Sequence, residues 1–489
     1  MPGWVAAGLL DVIAGFALLA LSVTCFAIST PFGIGCSFVL TLGLCIILPA
    51  SMPLVIIISF LFQNMIVAAF TPLVPNDEVF DALRGANFVM LMTAYGAFIL
   101  ASFQTRLRAV PGVRPWLLAS FGLLVLVSFY LVLGAINGEP KDAIVYFRNT
   151  ISAVACFHIG LVAASLNRVN LIRPLLWIGA LAICYGYFEL IFNFSFLSLF
   201  NGDIYIERNM RNQIDTGAWE RVLSETGFVF RGLEDLMMTS FFNTPLLADI
   251  FPKVFRIGGP NFHAIAYAYA LSVISIFLLF GGRWILPLVA LPLLVIIGSK
   301  GAMVLLVLAI AVKIGLQIMP ARPVLILLVG ASALWIASAI ALGIRSGDYH
   351  VLGFFAGLRD FPANPIGRGL GLGGNLSSTS ETIDWSAAQA TGSTIVPMES
   401  AIGVMLYQMG VGALLFVGFL IALAEKCRRI FERTGDQSFL FGTVGIVVLT
   451  ANAILQEEAF FSPLALAFCL ILVGVLLGSH QRDELLAAS

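Results

Sequence analysis

Charged residues are scarce in this chain. Only 11% of its 489 residues are Asp, Glu, Lys or Arg, and 60% are hydrophobic. A soluble domain has about 25% charged and roughly 45–50% apolar residues, so this composition excludes an ordinary soluble fold. The net charge of −1 also excludes the basic surface that nucleic-acid binding needs. The sequence therefore predicts an integral membrane protein with no nucleic-acid partner.

Cysteine pairs and metal-ligand patterns are also lacking. The seven cysteines form no CxxC pair, and none of them lies in the long polar loops described below. No spacing of His, Cys, Asp or Glu is typical of a zinc site. We therefore predict no disulfide framework, no metal and no cofactor. The cysteines are Cys25, Cys36, Cys45, Cys156, Cys184, Cys427 and Cys469.

Long apolar runs fill most of the chain. A membrane-spanning helix needs about 20 mostly apolar residues. Applied here, that rule predicts an all-α polytopic bundle of about 12–14 spans, forming one integral membrane domain over residues 1–489. The predicted spans are 6–29, 33–50, 52–70, 86–103, 115–136, 150–166, 174–192, 261–280, 284–298, 302–318, 323–343, 400–424, 437–455 and 462–479.

Lys and Arg in short loops predict the orientation, because cytoplasmic loops carry an excess of them. With the N-terminus inside, every basic loop is cytoplasmic, as are both termini. The long loops 193–260 and 344–398 then lie outside, as does the acidic pair Glu457 and Glu458, which we expect to be solvated. The basic residues are Arg106, Arg108, Arg114, Arg168, Arg173, Arg283, Arg322, Lys426, Arg428, Arg429 and Arg433.

Each long loop has two interpretations. In the first, the stretch Ala218–Phe251 has apolar residues at helical spacing. It is either an amphipathic helix on the membrane surface or a solvated cap without chemistry. In the second, the sequence PIGRGLGLGGN, Pro365–Asn375, is either a backbone cradle for phosphate or a flexible turn. Arg368 within it favours anion binding.

Three ionisable residues stand at the outer ends of predicted helices, where such groups are functional candidates. Arg256 and Lys300 are suited to binding phosphate oxygens, and Glu399 to accepting a proton from a hydroxyl. The structural alternatives are snorkelling for Arg256, a plain loop charge for Lys300 and helix capping for Glu399. Arg148 is a further cation at an outer helix end. His263 is a candidate acid or base, with packing as its alternative.

Four motifs follow one another over about residues 255–425. They are RIGGPNFHA, IIGSKGAMVLLVLAI, NPIGRGLGLGGN and ESAIGVMLYQMGVGALLF. In order and spacing, this set resembles the pattern of the bacterial O-antigen ligase and O-antigen or exopolysaccharide polymerase superfamily. Lys300 and Glu399 depart from that pattern, since the family usually has arginine at the first position and ligases typically have histidine at the second.

The resemblance implies a glycosyltransferase C-like fold and metal-independent glycan transfer from undecaprenyl diphosphate at the outer face of the inner membrane. Arg256 and Lys300 would hold the donor diphosphate, and Glu399 would deprotonate or orient the acceptor hydroxyl. The substrate-binding set would comprise Arg368, Arg148, Arg359, His263 and Asn261. The partners implied are the lipid-linked oligosaccharide, an acceptor glycan, membrane lipid and other polysaccharide-assembly proteins.

The function predicted first is a polymerase that transfers lipid-linked repeat units to a growing polysaccharide. A ligase that moves glycan to a lipid or protein acceptor is the alternative within the same class. A transporter or flippase, or a subunit that only scaffolds an assembly, are alternatives from other classes. A transporter commonly has ionisable residues near the middle of the membrane and internal repeats. Here the candidate residues cluster at outer edges, which favours the transferase.

Overall fold

The computed structural model describes residues 3–104, 112–215, 233, 237–244, 250–378, 383 and 385–488. Helices dominate these residues. They also contain one short antiparallel pair, β1 (Met238–Thr239) with β2 (Val254–Phe255). The helices are α1 (Gly3–Ile28), α2 (Thr30–Ile47), α3 (Met52–Phe70), α4 (Asp77–Arg84), α5 (Ala86–Ser102), α6 (Arg114–Asn137), α7 (Pro140–Leu166), α8 (Ile172–Phe192), α9 (Phe194–Ser198), α10 (Gly202–Asp215), α11 (Ala264–Phe280), α12 (Ile285–Ile297), α13 (Lys300–Ile318), α14 (Ala321–Ser346), α15 (Tyr349–Asp360), α16 (Trp385–Thr391), α17 (Ala401–Met409), α18 (Val411–Thr434), α19 (Ser438–Asn452), α20 (Glu458–Phe461) and α21 (Phe468–Ala488).

Nine helices within the described residues are long and apolar enough to cross a membrane. They are α1, α2, α3, α6, α7, α8, α13, α14 and α21. The bent pair α4–α5, with an angle of 41° between its halves, makes a tenth if it is counted as one span. The predicted class, an all-α polytopic membrane protein, is confirmed, although these helices number fewer than the spans predicted from hydropathy.

The difference in span number has a geometric cause. The predicted spans 261–280, 284–298 and 437–455 became helices of 17, 13 and 15 residues. At 1.5 Å per residue these are shorter than the hydrocarbon core, which is about 30 Å thick. The predicted span 400–424 is divided at Gly410, whose φ of +50° only glycine adopts readily.

The chain forms two compact units. The first comprises Met1–Ala94, Asn170–Ser275 and Trp284–Met303, and the second comprises Tyr95–Val169, Ile276–Arg283 and Val304–Ser489. The prediction of a single membrane domain stays a prediction. The proposed amphipathic helix at Ala218–Phe251 lies largely outside the described residues.

The first unit is built around α3, which packs against α1 and is buried from Met52 to Gln63. Gln63 shows how a polar residue is accommodated there. Its amide nitrogen donates to the Arg84 carbonyl at 2.7 Å, and its amide oxygen accepts from the Asn87 N–H at 2.5 Å. Both polar atoms of the side chain are therefore satisfied, as burial requires.

The core of the second unit is the contact between α7 and α21, which lie almost backbone to backbone. A Cβ on Gly160 would lie 2.2 Å from the Ile471 carbonyl oxygen, and one on Gly474 would lie 2.4 Å from that of Phe157. Small residues permit this close approach of apolar helices, where van der Waals packing replaces the hydrophobic effect. The same unit contains Glu399.

Candidate functional site

Glu399 lies two residues before α17, in an unusual backbone conformation. Its φ is +61°, a left-handed value that is uncommon for a residue with a side chain. Two contacts hold it there: its N–H donates to Asn375 Oδ1 at 3.3 Å, and its carbonyl oxygen lies 3.2 Å from His350 Nδ1. The capping alternative for Glu399 is wrong, because the Ser400 hydroxyl accepts from the Gly403 N–H at 3.0 Å and caps α17.

His350, which the sequence analysis missed, completes this arrangement. Its Nδ1 lies 3.6 Å from Glu399 Oε2. The exposed fractions of the two side chains are 38% and 32%, so a solute can reach both. A carbonyl oxygen can only accept, so the contact to the Glu399 carbonyl places the proton on Nδ1. In the neutral ring, Nε2 is then an acceptor.

Two glycines on α15 bring His350 to Glu399. A Cβ on Gly353 would lie 1.7 Å from the Met398 carbonyl oxygen, and one on Gly357 would lie 2.0 Å from that of Gly403. The helices α15 and α17 are therefore in direct backbone contact. The signal that would have found His350 is the GxxxG spacing of these glycines, which marks a helix–helix contact face.

The glycine-rich segment is a packed part of the second unit. Its amides donate to carbonyl oxygens of neighbouring elements: Arg368 to Tyr407 at 3.0 Å, Gly369 to Gln408 at 2.8 Å and Leu370 to Tyr130 at 3.0 Å. Because these N–H groups are already engaged, they are not available to cradle phosphate. Neither the phosphate-cradle nor the flexible-turn interpretation describes this part of the segment.

Arg368 is committed to neighbours within the same unit. Its guanidinium forms two bonds to the Asp360 carboxylate, at 2.7 and 3.1 Å, and lies 4.9 Å from the centre of the Tyr407 ring. The bonds to Asp360 raise the pKa of Arg368. This geometry gives Arg368 a structural role, and its predicted contact with substrate stays a prediction.

Glu457 is buried, so the expectation that it would be solvated is wrong. Its carboxylate accepts from the Tyr146 hydroxyl at 2.5 Å and from the Asn375 N–H at 3.0 Å. Burial raises the pKa of Glu457 to about 7. Asn375 therefore bridges the two acids, since its backbone binds Glu457 while its side chain accepts from the Glu399 N–H.

In the first unit, the RIGGPN motif is organised by a buried acid that the sequence analysis also missed. Glu189 is fully buried, and its two oxygens accept from the N–H groups of Gly258 and Gly259, each at 2.8 Å. A Cβ on Gly259 would lie 2.3 Å from the Tyr267 ring, which explains why a residue with a side chain does not fit at this position. The signal was available, because a lone carboxylate within an apolar span is a candidate by default.

The other polar residues of this motif have defined neighbours. Arg256 follows β2, and its N–H donates to the Met237 carbonyl at 2.6 Å. The Nδ1 of His263 accepts from the Ala266 N–H at 3.2 Å, so this histidine caps α11. The side chain of His263 is exposed. The carbonyl of Asn261 accepts from the Asn64 side chain at 2.7 Å.

Lys300 is the first residue of α13, two residues after the left-handed Gly298. It is half-buried, and no hydrogen bond or ion pair joins its ammonium to the residues that the structure describes. A Cβ on Gly298 would lie 3.0 Å from the Asn243 backbone nitrogen, so the turn before Lys300 is closely packed. The ammonium is thus held on a rigid support with its charge uncompensated by those residues.

The predicted site residues divide between the units. Arg256, Asn261, His263 and Lys300 belong to the first, and Arg148, Arg359, Arg368 and Glu399 to the second. Arg148 lies half-buried on α7, and Arg359 lies exposed near the end of α15. Within each unit the structure adds one acid or base: Glu189 beneath the RIGGPN motif and His350 beside Glu399.

The described residues contain no group of three or more His, Cys, Asp or Glu side chains arranged to hold a metal ion. Neither a family model nor a curated protein matches the chain. The resemblance to the ligase and polymerase superfamily therefore stays a prediction that depends on the four sequence motifs.

Proposed function

We propose that this protein is a membrane glycosyltransferase that polymerises oligosaccharide repeat units carried on undecaprenyl diphosphate. It acts at the outer face of the bacterial inner membrane, has a glycosyltransferase C-like fold and cooperates with other polysaccharide-assembly proteins. The observation that carries the proposal is the reachable pair of Glu399 and His350, held at a helix junction by the backbone contact of α15 with α17.

In the second unit, Glu399 is the base. An acceptor sugar hydroxyl attacks the anomeric carbon of the donor, and its proton passes to the Glu399 carboxylate as the new glycosidic bond forms. The bond between the anomeric carbon and the diphosphate breaks, and the electron pair leaves with the diphosphate. His350 is a positioning residue, because its Nδ1 holds the Glu399 backbone and lies beside the carboxylate.

In the first unit, Arg256 and Lys300 stabilise the negative charge that develops on the leaving diphosphate. Lys300 suits this role because its ammonium has no partner among the described residues. Arg256 suits this role because the Glu189 carboxylate holds Gly258 and Gly259, which follow Arg256 in the chain. A lysine provides charge but not the bidentate geometry of arginine, so Arg256 supplies most of the directional contact with phosphate.

Ligase-type transfer to a lipid or protein acceptor is the second candidate, and His350 favours it. Ligases of the resembling family typically have histidine where Glu399 stands, and here a histidine lies 3.6 Å from that carboxylate. In this version Nε2 of His350 takes the proton from the acceptor, and Glu399 orients the ring.

The test is glycan length in a host that lacks its own polymerase. Wild type, Glu399→Gln, His350→Gln and Arg256→Ala are expressed at equal membrane levels, and the glycans are separated by electrophoresis. We expect long glycan from wild type and single lipid-linked units from Glu399→Gln and Arg256→Ala. Glu139→Gln is the matched control, since Glu139 is an exposed acid on the same predicted side and in the same unit as Glu399.

The pattern of products separates the candidates. Single units attached to a new acceptor identify a ligase. The rate of transfer by His350→Gln is also measured against pH. If the rate falls at low pH as it does in wild type, Glu399 is the residue that accepts the proton. If that fall is lost, His350 is the acceptor. Wild-type glycan from both Glu399→Gln and Arg256→Ala refutes the proposal in favour of transport or scaffolding.

A further inference from the structure

A cleft of about 470 Å³ lies in the second unit, between the end of α14, one face of α15, and α16. Its volume falls in the usual range for small-molecule sites, about 300–1,000 Å³. The wall is shaped by a left-handed turn at Gly347, whose carbonyl oxygen accepts from the Gln389 side chain at 3.2 Å. This bond joins α16 to the turn.

Two arginines line the cleft, Arg345 from the last turn of α14 and Arg359 from the last turn of α15. Both are exposed, and neither forms an ion pair or hydrogen bond with the part of the chain that the structure describes. Arg368, nearby in sequence, is paired with Asp360. The two uncompensated charges on one concave surface favour a ligand with a negative charge.

One wall of the cleft is apolar, and an exposed apolar residue lies at its rim. Val351, Leu352 and Phe355 form one wall of the cleft. At its rim, the Ile344 side chain is 61% exposed. Such exposure of large side chains on a spanning helix is typical of contact with lipid. The ligand that fits this cleft has a charged head and an apolar tail.

The cleft lies at the depth of lipid headgroups. The 26 residues of α14 extend about 39 Å, which exceeds the hydrocarbon core, about 30 Å thick. The last turn of α14, with Arg345, therefore emerges at the headgroup layer. Arginine binds phosphate in bidentate fashion, and two arginines match a phosphate group carried at that depth.

We propose that this cleft is a binding site for a lipid with a phosphate headgroup, clamped by Arg345 and Arg359. The phosphate comes either from an ordinary phospholipid or from a polyprenyl diphosphate, and the chemistry of recognition is the same. The inference does not depend on the transferase proposal, because binding is measured without turnover.

Binding is measured by native mass spectrometry of the full chain in detergent, titrated with undecaprenyl diphosphate, phosphatidylglycerol or undecaprenol. We expect the phosphate lipids to bind and undecaprenol to bind much more weakly. The double variant Arg345→Gln/Arg359→Gln should weaken binding by about tenfold or more, because two charge-assisted contacts are lost. Arg322→Gln is the matched control, an exposed arginine at the opposite end of α14.

The outcomes separate the sources. If phosphatidylglycerol displaces bound undecaprenyl diphosphate, the site takes phospholipids in general. If undecaprenyl diphosphate binds and phosphatidylglycerol does not, the site is specific for the polyprenyl diphosphate. Equal affinity for undecaprenol, or wild-type affinity in the double variant, overturns the proposal. If the double variant elutes as aggregate, Arg345→Lys/Arg359→Lys replaces it. This variant keeps both charges but loses the bidentate geometry of the guanidinium groups, so we expect an intermediate loss of affinity. Unchanged affinity in that variant also overturns the proposal.

Discussion

The Glu457 carboxyl should make the stability of this protein depend on pH, and Glu457→Gln should remove that dependence. Burial raises the pKa of Glu457 from 4.5 to about 7. Between these values the unfolded chain releases a proton that the folded chain retains, so stability falls as the pH rises. Below pH 4.5 the contribution of Glu457 to stability is fully present, and above pH 7 that contribution is lost.

The magnitude follows from the size of the shift. A difference of about 2.5 pKa units corresponds to about 3 kcal/mol at 1.36 kcal/mol per unit. For a chain of 489 residues with an ordinary unfolding entropy, that is a change of about 3 °C in Tm. Glutamine has nearly the same shape as the protonated acid, so the variant should lose little to packing.

The assay compares thermal unfolding of wild type and Glu457→Gln in detergent from pH 4.5 to 8, followed by tryptophan fluorescence. Wild type should lose about 3 °C relative to the variant over this range. Glu139→Gln serves as the control because Glu139 is exposed, and its difference from wild type should stay flat. A flat difference for Glu457→Gln, or one that grows in favour of wild type as the pH rises, would refute the reasoning.

Five further substitutions test the packing within the two units by thermal unfolding. Gly369→Ala should cost about 3 kcal/mol or more, because its φ is +107° and the new Cβ would lie 2.3 Å from backbone. Gly392→Ala, with φ +65° and open space, should cost only about 1 kcal/mol, and equal costs would contradict the packing argument. Glu189→Ala should cost about 3 kcal/mol, since two buried N–H groups lose their acceptor, and a near-neutral result would contradict that contact. Arg368→Lys and Asp360→Asn should each cost about 1 kcal/mol and be non-additive in the double variant, whereas additivity would show that the pair is not coupled.

The sequence was sufficient to predict the membrane class and the placement of most long helices, because hydropathy over about 20 residues decides both. It was insufficient at the ends of helices. The break at Gly410 depends on backbone angles and on neighbours far away in the chain, which a hydropathy window does not contain.

For the candidate site too, the sequence predicted some positions but not the contacts between them. Glu399 was selected by its position at a helix end, and the structure holds it in a defined geometry. Glu189 and Glu457 were overlooked or expected to be solvated, because a sequence pattern scores the polarity of a residue and not its partners. His350 was missed since its partner Glu399 lies 49 residues away.

The glycine contact between α15 and α17 has a mechanical consequence. Gly353 and Gly357 leave no layer of side chains between the two helices, so no soft material separates them. Packed backbones of this kind transmit displacement instead of absorbing it. The α15 helix carries His350 at one end and Arg359 at the other. We therefore expect α15 and the beginning of α17 to move as one body, so that Arg359, His350 and Glu399 keep their spacing.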